Sequence, residues 1–91
     1  MKFRQSKTFR RSLARLHPDL QKQAKEKFKL FVRDQHHPSL KTKKMGGKQE
    51  EIWEGHITEG CVFTFRYTED ENGNKVCETI DIGTHAIYRD T

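Results

Sequence analysis

The spacing of apolar residues changes once along this chain, and that change limits what it can fold into. Phe9, Leu13 and Leu16 recur at helical intervals, as do Leu20, Ala24, Phe28 and Phe31. From Ile52 onward the apolar residues instead alternate with polar ones, the period of a half-buried strand. Ninety-one residues make one domain, 1–91, with a modest core. Its helices and strands must therefore bury their apolar faces on each other. The expectation is an α+β domain: a short N-terminal strand and a helical hairpin packed on one face of a small, mainly antiparallel sheet.

Local signals set the boundaries. Lys2–Gln5 can form the short strand. Ser6 suits the N-cap of a helix over Lys7–Leu16, because its hydroxyl can accept from an unpaired backbone N–H of the first turn. His17-Pro18-Asp19 then restarts the chain: His17 as a cap residue, Pro18 where a missing N–H does no harm, Asp19 at the positive end of the dipole. The second helix runs to about Asp34, with Lys22, Lys25, Lys29 and Arg33 on its outer face. Residues 35–51 show no period and contain Pro38, Gly46 and Gly47, so they read as a long loop. Strands are expected at Ile52–Ile57, Cys61–Tyr67 and Lys75–Ile82, the last two joined at Asn72-Gly73, a strong hairpin signal.

Strand alternation then divides the side chains between two faces. Trp53, Ile57, Phe63, Phe65 and Tyr67 belong under the helices, joined by Val76, Ile80 and Ile82, with Glu78 out of place among them. Glu54, His56, Val62, Thr64 and Arg66 take the other face, which is expected to stay polar and open.

Charge follows the same division. Residues 1–48 hold fifteen Lys or Arg against three acids, a balance of +12; residues 49–91 hold three against ten, a balance of −7. A basic half that continues into Lys41-Thr42-Lys43-Lys44 favours nucleic acid or an acidic protein partner. No apolar run approaches the roughly 18 residues of a membrane span, and Met1–Gln5 lacks the apolar stretch of a signal peptide. A cytoplasmic protein with no membrane role is expected. In a reducing compartment Cys61 and Cys77 read as buried free thiols. With His56 and His85 they lack the CxxC or HxxxH spacing of a zinc site, so neither metal nor cofactor is expected.

The order of these parts resembles the RelE/ParE toxin superfamily of bacterial toxin–antitoxin systems. The resemblance spans nearly the whole chain. It is carried by His37-Pro38-Ser39-Leu40, Ile52-Trp53-Glu54-Gly55-His56-Ile57 and Gly83-Thr84-His85, and its histidines look closest to the YafQ-like branch. It implies a RelE-like fold and a ribosome-dependent mRNA endoribonuclease that inhibits translation and is neutralised by a cognate antitoxin. It further implies catalytic residues at His37, His56 and His85, with the C-terminal aromatic at Tyr88. One departure is Gly60-Cys61, where relatives begin the strand with an arginine or another functional side chain; Arg66 or Arg89 is then the candidate substitute.

The residues suit metal-independent chemistry. RNA supplies its own nucleophile, the 2′-hydroxyl, so a protein need only take that proton, protonate the leaving 5′-oxygen and stabilise the charged phosphorane. Histidine does both proton steps near neutral pH. Lys41, Lys43, Lys44, Arg66 and Arg89 are the candidates to hold phosphate, and Tyr88 to stack a base. Plainer roles compete: His36 as a solvated loop residue, His37 as the turn before Pro38, His56 as an exposed strand residue, Trp53 as core. Rival functions are a ParE-like toxin acting on DNA gyrase, a non-catalytic basic RNA-binding module, and a decayed toxin that only binds its antitoxin. Three titratable histidines argue against the first, and the polar strand face against the second.

Overall fold

The computed structural model describes residues 1–45 and 51–89. Strand β1 (Lys2–Gln5) leads into helices α1 (Lys7–Arg15) and α2 (Pro18–Arg33), then β2 (Lys43–Lys44), β3 (Trp53–His56), β4 (Val62–Glu69) and β5 (Lys75–Gly83). The sheet order is β1-β5-β4-β3-β2, parallel only between β1 and β5 and antiparallel elsewhere. This is the α+β arrangement expected from the sequence.

The caps explain why the chain turns where it does. Ser6 Oγ accepts from the Phe9 N–H and also donates to the Ile80 carbonyl, so one side chain starts α1 and ties it to β5. His17 caps α2 by accepting from the Asp19 N–H, and Pro18 occupies the first turn. A 3-10 turn over Pro38–Leu40 buries Leu40 and ends at Lys41, whose φ of 48° is left-handed. The hairpin between β4 and β5 closes through Gly73, at φ 79°, whose N–H donates to the Asp70 carbonyl.

Between the helices and the sheet lies an aromatic core. Phe9, Phe31, Phe63 and Phe65 are wholly or almost wholly buried, each stabilising the fold by about 1.5–3 kcal/mol relative to exposure. Phe31 packs edge-on against Phe63 and Phe65 at 5.2 and 4.8 Å between centroids, within the range favoured by ring quadrupoles. Trp53 joins this cluster from β3, half-buried, as a core residue.

Two sequence expectations need correction. Val76, Ile80 and Ile82 do not share one face. Thr68 pairs with Val76, Arg66 with Glu78, Tyr67 with Cys77 and Phe65 with Thr79, so Cys77 and Thr79 point under the helices while Val76 and Glu78 point away. A bulge follows, since Thr64 pairs with Asp81 and leaves Ile80 without an opposite number. The extra residue restores Ile82 to the core opposite Phe63. Glu78 is therefore not misplaced. In addition, Lys43 and Lys44 are not loop but an edge strand, in register with Glu54 and Trp53.

Candidate functional site

The face away from the helices is built in cross-strand rows. Lys43, Glu54, Thr64 and Asp81 form one row across β2, β3, β4 and β5. His56, Val62 and Gly83 form the next, towards the end of the sheet. Because β5 ends at Gly83 and turns at once into a 3-10 segment, His85–Arg89, His85 arrives beside His56. Their rings stand 6.2 Å apart between centroids, inclined at 62°. His56 is partly buried and His85 exposed.

Glu54 lies beside this pair. Its Oε1 is 3.6 Å from His56 Nε2 and 3.2 Å from Lys43 Nζ. The carboxylate is almost wholly buried, with Asp81 and Thr64, so this part of the face is less open than the alternation alone suggested. Thr64 Oγ1 is buried without a hydrogen-bond partner among the described residues. Asp81 Oδ1 accepts from the N–H of Ile82 at 2.8 Å, which helps to hold β5 past its bulge. Burying a carboxylate is unfavourable unless cations or donors face it; for Glu54 these include Lys43, and His56 when protonated.

Arg66 is on this face too, one row beyond Thr64, and is committed to Glu78. Its Nε and Nη2 reach Oε1 at 3.0 and 2.9 Å, while Arg4 Nε donates to Oε2 at 2.9 Å. Half of the Arg66 side chain stays exposed. A cleft of about 440 Å³ runs beside it, lined by Ser6, Thr8, Ile52, Glu78, Ile80 and Asp81.

The other histidines lie elsewhere. His36 sits 5.1 Å from the Trp53 ring, with Nδ1 within 3.0 Å of Thr42 Oγ1 and Nε2 within 3.3 Å of the Tyr67 hydroxyl. Burial, and secondarily the nearby Cys77, pushes the Tyr67 phenol up, so it keeps its proton and can donate to His36. Trp53 and Tyr67 take the helix-side face, opposite to Glu54 and His56. His37 caps the 3-10 turn, its Nδ1 accepting from the Ser39 N–H at 3.1 Å with Ser39 Oγ at 2.9 Å. The structure thus brings His56 and His85 together and leaves His37 in its turn. Lys41 and Lys44 are exposed, and Lys43 reaches Glu54.

Cys61 and Cys77 are free and buried, as expected. Burial holds Cys77 up at about 12 and also raises Cys61. Among the described residues no three His, Cys, Asp or Glu side chains gather as a metal would require, and no helix is long and apolar enough to cross a membrane.

No family model matches the sequence, and no curated protein matches it closely enough to count as a relative. Solved structures do match. A YoeB/ParE toxin from Agrobacterium tumefaciens superposes with a TM-score of 0.73 at 16% identity, over 93% of this chain and 99% of that one. YafQ from E. coli gives 0.71 at 14% identity, over 96% of each chain. The toxin–antitoxin complex RelBE2 from Mycobacterium tuberculosis gives 0.69 at 16% identity, over 92% and 96%. The chain has the RelE/ParE-like toxin fold.

Within this RelE-like fold, Tyr88 and Arg89 follow His85 in the same closing turn. The residue that sequence reasoning passed over is Glu54. Its signal was available, since it precedes His56 by two positions on one strand and so must share its face.

Proposed function

We propose that the chain is the toxin of a toxin–antitoxin pair and an endoribonuclease that cuts messenger RNA on the ribosome, blocking translation. The observation that carries this reading is the facing pair His56 and His85, beside Glu54 and Lys43 on the sheet face away from the helices. Two imidazoles at this separation can serve the two proton steps of 2′-hydroxyl attack. The bond from phosphorus to the 5′-oxygen breaks as the 2′-oxygen bonds to phosphorus, leaving a 2′,3′-cyclic phosphate and a 5′-hydroxyl end. His85 protonates the departing 5′-oxygen, and His56 takes the 2′ proton. Lys41, Lys43, Lys44, Arg66 and Arg89 contact phosphate, Arg66 by exchanging part of its pairing with Glu78, and Tyr88 stacks a base. The similarity of fold to YafQ and to the toxin–antitoxin complex RelBE2 supports the assignment.

An antitoxin partner fits the opposite edge. A groove of about 610 Å³ lies along β1, lined by Phe3, Arg10, Phe28 and Val32 among others. Phe3 and Val32 stay 38% and 50% exposed, so apolar surface is available there beside basic side chains. An acidic segment that orders on binding would cover it. A target on the ribosome places the protein in the cytoplasm.

Inducing the chain in bacteria and mapping 5′-hydroxyl ends tests the reading. Growth arrest with new mRNA ends, both lost in His85→Ala, is the expected result. Arrest with intact mRNA and broken DNA would replace it with gyrase inhibition, and harmless expression would remove the toxin role altogether.

A further inference from the structure

We infer that Glu54 is a positioning residue that sets the tautomer of His56: the neutral ring carries its proton on Nε2 and presents Nδ1 as the bare, proton-accepting nitrogen. The inference rests for its catalytic meaning on the reading above, but its structural content stands apart from it.

The geometry gives the reason. Oε1 of Glu54 faces Nε2 of His56 at 3.6 Å. That is longer than a formed hydrogen bond, yet close enough to decide between tautomers. With the proton on Nδ1, the Nε2 lone pair would point at a carboxylate oxygen, acceptor against acceptor, in a place with little water to separate them. With the proton on Nε2 the same contact becomes attractive. Which ring nitrogen of a histidine carries its proton is set by the partner of the other one.

The surroundings give that oxygen little freedom. Glu54 is almost wholly buried and pairs across the strands with Thr64, which has no exposed surface. Lys43 Nζ reaches the same Oε1 from the edge strand. Lys43 is itself 72% exposed, and an ion pair with so solvated a partner is weak. His56 is only 23% exposed, so its ring is held where the carboxylate can act on it.

A base working through Nδ1 also fits the site. His85 stands beside His56, 6.2 Å between ring centroids. RNA entering between the two rings would meet a nitrogen not already turned towards Glu54. Contacts of this kind are often long in a free enzyme and shorten when substrate is bound.

Two-bond proton–nitrogen NMR correlations on the free protein decide the matter, because they distinguish the two neutral tautomers directly. The His56 signals are assigned by their loss in His56→Gln. In the wild type, with the ring neutral, the expected pattern is a protonated Nε2 and a bare Nδ1. The opposite pattern would overturn the inference without any variant being needed. In Glu54→Gln, checked for folding by its amide spectrum, the Nδ1-protonated form should rise several-fold; an unchanged ratio would overturn the inference. Lys43→Met should leave the ratio as in the wild type, and an equal shift there would show that Lys43, not Glu54, sets it. Cleavage is read separately. In Glu54→Gln, kcat should fall roughly ten- to a hundredfold, part of the 10²–10⁴ typical of a general base, with KM unchanged. A wild-type chain with the expected tautomer and no cleavage would overturn the endoribonuclease reading and support the tautomer inference.

Discussion

Gly55 lies directly against the ring of Phe63. A Cβ placed on it would stand 2.5 Å from Phe63 Cζ and 2.6 Å from Cε1, well inside any real contact. Phe63 is wholly buried and packs on Phe28 and Phe31 from α2, so it has no room to withdraw. The residues on either side of this glycine are Glu54 and His56, and the close approach fixes both. Gly55→Ala should therefore lower stability by about 1–3 kcal/mol, the usual cost of overpacking a filled core, and weaken any activity at His56. Denaturant unfolding checks the first part; a variant as stable as the wild type would show that β3 can shift freely.

His85 and His56 should respond differently to truncation. His85 is exposed, so His85→Ala should leave stability within about 0.5 kcal/mol while reducing RNA cleavage by about 10²–10⁴-fold. His56 is partly buried against Glu54, and its loss should reduce both cleavage and stability. Thermal melts alongside a cleavage assay separate the two; a large fall in melting temperature for His85→Ala would make that residue structural.

Replacing Lys41, Lys43 and Lys44 with glutamine should weaken RNA binding and flatten its salt dependence, each lost phosphate contact removing roughly 0.7–0.9 from the slope of log K against log salt. Lys43 should account for least, because it already pairs with Glu54. Titrations at several salt concentrations measure this, and an unchanged slope would deny the segment any phosphate contact.

Acid should act on the hairpin. Asp70 accepts from Lys2 Nζ and from the N–H groups of Asn74 and Asn72, which hold its carboxyl at about 2, below the ordinary 3.8. The folded value is the lower one, so this stabilisation is complete above about pH 4 and is lost as pH falls towards 2. Asp70→Asn should therefore be less stable than wild type at neutral pH, with the gap closing on acidification. Parallel unfolding curves at pH 7 and pH 2.5 test it; a constant gap would place the effect in backbone geometry alone.

The two thiols should be inert in the folded protein. Cys77 is wholly buried and held at about 12, and Cys61 is raised by the same cause. Since the thiolate is the reactive form, alkylation at pH 8 should be slow until denaturant is added. Mass spectrometry follows it; fast labelling of Cys77 would indicate that β5 opens readily.

Much of this fold can be read from the residues, and the failures have physical causes. Ser6, His17-Pro18 and Asn72-Gly73 act locally, so their turns fall where the sequence puts them. Alternation holds in β3 and β4 because the pleat is unbroken there. It fails in β5, where counting by twos presumes no inserted residue and Ile80 is one. Lys43–Lys44 is too short a strand to show any period. At the candidate site, His56 and His85 were visible as histidines, but their meeting depends on a register across three strands. The burial of Glu54 and Thr64 depends on what packs over them, which no spacing encodes.

The pairing of β1 with β5 has a consequence for how the protein is made. Lys2 meets Val76 and Gln5 meets Thr79, so β1 pairs with a strand that lies far later in the sequence. Ser6, which starts α1, likewise donates to the carbonyl of Ile80. During synthesis the N-terminal strand must wait, unpaired, until β5 leaves the exit tunnel. Contacts so distant in sequence slow folding, and the face that carries His56 and His85 is completed only then. A nascent chain interrupted before β5 would lack both the strand that joins β1 to β4 and the second histidine, so sheet and site are completed together, on the ribosome that makes them.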